Sequence, residues 1–335
     1  MADSPKKLFV LETIRKHPQA ANMVLARKLY AEAPEMWTTL EACRSSVRRY
    51  RGNDGVQNRS GVKGLDTLRP NAVPGNPFLP LPEPLDNFGD SEPHVLRSAK
   101  TLIMADIHAP YHNRRALEIA IETGIKENVE AVILNGDALD FFSISRWQKD
   151  PRLRDLPREI EIGRELLGSI RTAFSGKEII FKDGNHEERW FSYLYLKAPE
   201  LLGVNDFEIE KIFRFDELGI KRLTKRQHIR IGDLNVMHGH EFGRSIISPV
   251  NAARGLFLRA KASAIIGHYH QSAEHVEKNV NDSQIGCWST GCLCDLRPDY
   301  ARYNKWNHGF AIVSHEVDSA YFRVENLKII DGRIV

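Results

Sequence analysis

Five short apolar runs in this chain end on side chains of one chemical kind, and that recurrence constrains its fold more than any other feature. Thr101 to Ala105 leads into Asp106 and His108, and Ala131 to Leu134 into Asn-Gly-Asp137. Glu178 to Phe181 leads into Asp-Gly-Asn185-His186-Glu187, Leu234 to Met237 into His238, and Ala264 to Ile266 into Gly-His268-Tyr-His270. Runs of this length, rich in Ile, Leu and Val, suit strands buried on both faces. Helical patterns over Arg114 to Glu127 and Arg158 to Phe174 separate the first three, and strand, helix, strand requires a parallel sheet. Ligands of such sheets collect beyond the carboxyl ends of the strands, where all five sets fall. One Gly-Asp after a strand is more often a turn or a helix cap than a ligand. Five loops in agreement carry the argument.

The side-chain types narrow the chemistry. Carboxylate oxygen and imidazole nitrogen together suit first-row divalent ions such as manganese, iron and zinc, while the lack of thiolates in the set argues against a structural zinc site. Cys43, Cys287, Cys292 and Cys294 are too few and too unevenly spaced for a disulfide framework and read as reduced, structural thiols. No run of eighteen apolar residues and no secretion leader is evident, so the expectation is a cytoplasmic protein without a membrane partner.

As an ordered set, Asp106-x-His108, Gly136-Asp137-x-x-Asp140, Gly184-Asn185-His186-Glu187, His238 and Gly267-His268-x-His270 resemble the calcineurin-like metallophosphoesterase superfamily, over roughly residues 100 to 315. The resemblance implies an α/β fold, a four-layer α/β/β/α sandwich of two mixed sheets, here joined to a small N-terminal helical bundle. It implies two divalent metal ions, with manganese expected first and iron, zinc, nickel or magnesium as alternatives. Asp106, His108 and His270 would hold one ion, Asn185, His238 and His268 the other, and Asp137 both. It also implies that His186 is catalytic without being a ligand, pointing at the phosphate or the leaving oxygen. Two cations about 3.5 to 4 Å apart lower the pKa of a bridging water, neutralise phosphate oxygens and align the attack. His186 would then protonate the leaving group or hydrogen-bond its developing charge.

Asp140 and Glu187 are expected behind the ligands, orienting imidazoles, although Glu187 could simply begin a helix. Arg146 and Arg189 follow two of the blocks and are candidate phosphate clamps, with a solvated surface position as the commoner alternative. Tyr269 either stacks on a base or packs. His240 is left out of the ligand set, because the family pattern uses only the first histidine of His-Gly-His.

The charge of the chain is uneven. Residues 1 to 70 carry 13 Lys and Arg against 7 Asp and Glu, whereas the remainder carries 34 against 37. This basic segment reads as three helices, Leu8 to His17, Ala20 to Ala31, and one from a capping box of Thr38 with Glu41 to near Gly52. On the third, Arg44, Arg48, Arg49 and Arg51 resemble the basic recognition helix of a helix-turn-helix, and a solvated basic face is an equal alternative. The expected domains are 1–52, a helical, helix-turn-helix-like unit; 53–97, a Pro/Gly-rich linker; and 98–335, the metallophosphoesterase domain. The strands Ile285 to Trp288, Phe310 to Val313 and Tyr321 to Val324 are expected to form a second sheet.

The leading functional reading is a metal-dependent phosphodiesterase or nuclease acting on DNA or other nucleic acid through a metal-bridging hydroxide. Arg44 and Arg48 would contact phosphates, and Phe141, Phe142, Trp147 and Trp190 would stack exposed bases or pack beneath a lid. The alternatives are a hydrolase of small phosphoesters such as cyclic nucleotides or nucleoside polyphosphates, a phosphoprotein phosphatase, or, more remotely, a DNA-binding regulator with an inactive enzyme domain.

Overall fold

Alternate residues of the central strands face different layers, and this alternation builds the larger of two units. A computed structural model describes residues 4–51, 92–224, 227–243 and 250–335, and the chain divides into a unit of residues 1–86 and one of residues 87–335. In the larger unit, β2 (Lys100–Met104), β3 (Ala131–Asn135), β4 (Glu178–Lys182) and β5 (Ile220–Leu223) run parallel, while β11 (His308–His315), β12 (Phe322–Ile330) and β13 (Arg333–Ile334) extend the sheet antiparallel from β2. This seven-stranded sheet has the order β13-β12-β11-β2-β3-β4-β5. A six-stranded mixed sheet contains β1 (His94–Val95), β6 (Ile229–Ile231), β7 (Leu234–Val236), β8 (Ala264–Ile266), β10 (Gln284–Ser289) and β9 (Ala273–Lys278), in that order.

One face of the larger sheet, with Ile103, Ile133, Ile180 and Val313, packs against Ile231, Val236, Ile265 and Trp288 of the smaller one. Its other face, with Leu102, Val132, Leu134, Ile179 and Phe181, packs on helices Arg114–Lys126, Leu156–Ala173 and Glu188–Lys197. Ala264, Ile266 and Cys287 on the far face of the smaller sheet meet Leu256 of helix Ala252–Ala260. The result is four layers, α/β/β/α, in which each fully buried aliphatic side chain contributes about 1.5–3 kcal/mol. Asn113, Asp155 and Asn251 cap three of these helices by accepting from backbone N–H groups three residues on.

Two expectations about the sheets are corrected. Phe310 to Val313 and the strand after Tyr321 join the seven-stranded sheet, because β11 pairs with β2; only Ile285 to Trp288 lies in the smaller sheet. The five ligand-bearing strand ends therefore belong to two sheets, β2, β3 and β4 to one and β7 and β8 to the other. The stretch read as a 53–97 linker lies outside the described residues up to 91. Its described end packs on the following domain, where His94 and Val95 pair in parallel with Ile229 and Arg230.

In the smaller unit, helices Pro5–Lys16, Asn22–Glu32 and Leu40–Tyr50 enclose Val10, Ile14, Leu25, Leu29, Trp37, Cys43 and Val47. The cap of the third helix is Thr39, which accepts from Ala42 N–H at 3.1 Å, rather than Thr38. Glu41 is thus free of any capping box and pairs with Arg44 at 3.2 Å. Arg51 is no part of a basic face: it is buried and donates to Asn22 Oδ1 and the Pro18 carbonyl at 2.7 and 2.9 Å. No helix among the described residues is long and apolar enough to cross a membrane.

Candidate metal centre

Where β2, β3 and β8 end, the backbone turns left-handed at five of the residues picked out in the sequence. Asp106, His108, Asp137, His268 and His270 have φ values of 55°, 53°, 52°, 64° and 55°. Each such residue costs about 1–3 kcal/mol and persists only when its surroundings fix it. Here the loops fix one another. Asp106 N–H donates to the Gly136 carbonyl (3.1 Å), His108 N–H to that of Asp137 (2.8 Å), Gly267 N–H to that of His238 (2.9 Å) and Asn307 N–H to that of His270 (2.9 Å). Close approach also needs glycine: a Cβ on Gly136 would strike the His238 ring, and one on Gly184 the Asp137 carboxylate.

These turns bring the acid and imidazole groups together in the interior. Asp137 Oδ2 lies 3.8 Å from His108 Nε2 and 3.3 Å from His238 Nε2. Asp106 Oδ1 lies 3.1 Å from His270 Nε2, and the Nε2 atoms of His108 and His270 stand 3.2 Å apart. Ligand atoms of Asp137, His238 and His268 form one compact group, those of His108, His270 and Cys294 another, and those of His108, Asp137 and His186 a third. Three buried atoms of these residues, Asp106 Oδ1, Asn185 Oδ1 and His238 Nε2, have no hydrogen-bond partner. Such atoms are costly unless something satisfies them, and a divalent cation does so for an oxygen, oxygen and nitrogen set. The residues present therefore fit the ions.

Electrostatics agree with a site that demands positive charge. Burial opposes ionisation of Asp106 and Asp137, but the imidazoles, His270 foremost for the first and His186 and His238 for the second, hold both carboxyls below the usual range. Burial likewise opposes a charged His238, yet the Asp137 carboxylate pushes its pKa up to about 10. His268, beside it at 5.1 Å between ring centroids, is pushed down to about 4 by burial and then by His238.

The ring nitrogens are set by their outer partners. His108 Nδ1 meets Asp140 Oδ2 at 2.9 Å and His238 Nδ1 meets the Asn135 carbonyl at 2.8 Å, so both carry the proton on Nδ1 and present Nε2 inward. Glu187 is fully buried: its Oε2 accepts from the N–H groups of Asp137 (3.0 Å) and Gly184 (2.8 Å), and its Oε1 from Leu139 (3.0 Å). It thus ties the Asp137 loop to the Asn185 loop, and the helix behind it starts at Glu188. Burial, and then Asp137, raise its pKa to about 7.

His186 adjoins the cluster, with Nε2 3.7 Å from Asp137 Oδ2. Its Nε2 accepts from the Arg189 guanidinium at 2.7 Å and its Nδ1–H donates to the Asp140 carbonyl at 3.1 Å, which makes it neutral, as burial also favours. Arg189 donates as well to the Asp140 carbonyl (2.8 Å) and carboxylate (3.2 Å), so it is part of the site and no loose surface residue. Arg146 is exposed and lines the cleft beside Asn185 and His268, with its guanidinium 5.0 Å from the Trp147 ring centroid. Arg44 and Arg48 belong to the other unit.

The aromatic candidates divide. Phe141 and Trp190 are buried and pack on each other, with the Trp190 indole donating to the Phe207 carbonyl at 2.7 Å, so they are core. Phe142 is half-buried against Tyr111, and Trp147 is exposed. Tyr269 packs with the helix layer and also lines the cleft. His240 faces Glu188 at 3.4 Å rather than the Asp137 carboxylate.

Sequence reasoning missed three supports. Lys182, fully buried at the end of β4, pairs with Glu241 at 3.1 Å, and Glu241 accepts from the N–H groups of His238 (3.3 Å) and Gly239 (2.6 Å). A lysine closing an apolar run was the available signal. Cys294, read as merely structural, lies with Sγ 3.8 Å from His270 Nδ1. Nothing in a Cys-x-Cys spacing pointed to that contact.

The comparisons with known proteins come from three directions. A family model described as calcineurin-like phosphoesterase matches residues 99–283. The Gene 54 protein of Mycobacterium phage L5 is 28% identical over 250 residues, covering 70% of this chain and 96% of that protein. Among solved structures, vacuolar protein sorting 29 from Cryptosporidium parvum is 12% identical (71% of this chain, 95% of that one, TM-score 0.38). YfcE, a phosphoesterase from E. coli, is also 12% identical (70% and 96%, TM-score 0.33).

Proposed function

This chain belongs to the calcineurin-like phosphoesterase family and is a hydrolase of phosphoester bonds, and on that premise we propose that it is a manganese-dependent phosphodiesterase whose substrate is nucleic acid, DNA in particular. One observation carries the choice of substrate. A cleft of about 820 Å³ opens beside Asn185 and His268 and is lined by Arg146, Arg154, Arg189 and Lys197, with Glu188 as its carboxylate. Cations in that proportion suit a polyanion, and the cleft is roomier than a lone phosphate needs.

Divalent ions held by Asp106, His108, Asp137, Asn185, His238, His268 and His270 would supply an activated water and neutralise the phosphate oxygens. The chain's own groups do the rest. Arg189, fixed by Asp140, offers its guanidinium to a non-bridging phosphate oxygen. Once that guanidinium engages phosphate, His186 Nε2 is free to hold or pass a proton at the leaving oxygen, with its ring kept in place by the Asp140 carbonyl. In the helical unit, the exposed Arg48 and Arg49 supply a second contact to the polymer backbone, together with Arg44. The four cysteines are buried and unpaired, which suits action in a reducing cytoplasm.

Incubation with single-stranded and duplex DNA in manganese, before and after Asp137→Asn, tests the reading. Cleavage by the native chain alone is expected. Intact polymer in every tube, with bis(p-nitrophenyl) phosphate hydrolysed, would move the substrate to a small phosphoester.

A further inference from the structure

The loop from Asp295 to Asn307 lies beyond the residues matched by the family model and takes no part in the ligand set, yet it ends on the metal centre. Trp306 packs edge-on to His270, with ring centroids 4.1 Å apart, and Tyr300 packs on Trp306 at 6.2 Å. The rings therefore lead outward from a candidate ligand. Tyr300 is 76% exposed and Tyr303 fully so. Through Trp306, Tyr300 stands one ring away from His270.

Exposed rings on a slack loop would mean little, but this loop is laced. The Asn304 side chain donates to the carbonyls of Leu296 (2.7 Å) and Ala301 (2.6 Å) and accepts from Trp306 N–H (2.8 Å). Its ends are pinned to Tyr111 and His270, each by a 2.9 Å backbone hydrogen bond. Ordering such a surface on binding therefore loses little conformational entropy. A similar exposed platform, Trp147 with Arg146 over its ring, lines the cleft beside Asn185 and His268, whereas Tyr300 is joined to the centre through Trp306 and His270.

We propose that Tyr300 and Tyr303 form a stacking platform for unpaired bases, so that the enzyme takes its nucleic acid as a single strand. This rests on the nucleic-acid reading above. Unpaired bases offer free faces to aromatic rings, and each base so stacked contributes about 1–3 kcal/mol. Paired bases do not, so the platform discriminates by strandedness.

The test is a ratio. For Tyr300→Ala with Tyr303→Ala, kcat/KM on a single-stranded oligonucleotide is measured against that on bis(p-nitrophenyl) phosphate. A fall in the ratio of at least tenfold, with the corresponding duplex ratio moving less than about threefold, is expected. An unchanged ratio, or equal falls for strand and duplex, overturns the platform while leaving the nucleic-acid reading standing. Should the double variant lose hydrolysis of both substrates, Tyr300→Phe with Tyr303→Phe decides: recovery of single-strand cleavage supports stacking, and continued loss overturns it. A native enzyme that hydrolyses bis(p-nitrophenyl) phosphate but no polymer defeats the underlying reading itself.

Discussion

The two sheets divide the candidate metal ligands between them but hold them by different means. Asp106, His108, Asp137 and Asn185 follow buried parallel strands of the seven-stranded sheet, and their loops are gripped by carboxylates of that same layer, Glu187 and Asp140. His238, His268 and His270 follow two strands of only three residues each in the smaller sheet. Their supports come largely from across the sandwich. The Asn135 carbonyl at the end of β3 accepts from the His238 Nδ1–H, Lys182 at the end of β4 secures Glu241 beneath the His238 loop, and Asp106 accepts from His268 N–H at 2.8 Å. The difference teaches that one half of the site is built into its sheet while the other is imposed on it, so packing of the two sheets is a precondition for the metal centre.

Perturbations of this asymmetry rank by how much each disconnects. Asp137→Asn removes the carboxylate shared by both halves, and hydrolysis of bis(p-nitrophenyl) phosphate in manganese should fall to background while the fold survives in circular dichroism. Lys182→Ala leaves Glu241 without its cation inside the sandwich. It should lower stability by roughly 3 kcal/mol, the low end for a broken buried pair because Glu241 keeps some solvent contact, as read by urea unfolding. Glu187→Gln replaces an acceptor of three backbone N–H groups by one with a single acceptor oxygen. Manganese affinity by calorimetry should drop about 10- to 100-fold. Asp140→Asn keeps an oxygen for His108 but weakens the charge-assisted bond, so its effect should lie near or below the tenfold end of that range. Equal effects for Glu187 and Asp140 would blunt the distinction between tying two loops together and orienting one ring.

How much of this was legible in the sequence follows from where the information lies. The loops that meet at the centre were readable because each joins an apolar run to a donor side chain, a local pattern that needs no knowledge of pairing. Which sheet each strand enters was not, since β11 pairs with β2 across some two hundred residues of chain and nothing local marks that partner. The same limit hid the Lys182–Glu241 pair and the contact of Cys294 with His270, which exist only once the two sheets pack. Arg51 shows the opposite error, where a local basic pattern suggested an exposed face and tertiary packing buried its last member. The aromatic residues show it again: Phe141 and Trp190 looked like Trp147 in the sequence, and only packing separates core rings from exposed ones.

The central claim is that Asp137 stands between two ions held from two sheets. Anomalous diffraction from crystals grown with manganese tests it directly. The arrangement predicts two peaks flanking the Asp137 carboxylate, one among Asp106, His108 and His270 and the other among Asn185, His238 and His268. A single peak, or peaks that leave Asp137 out of contact with either ion, would contradict it.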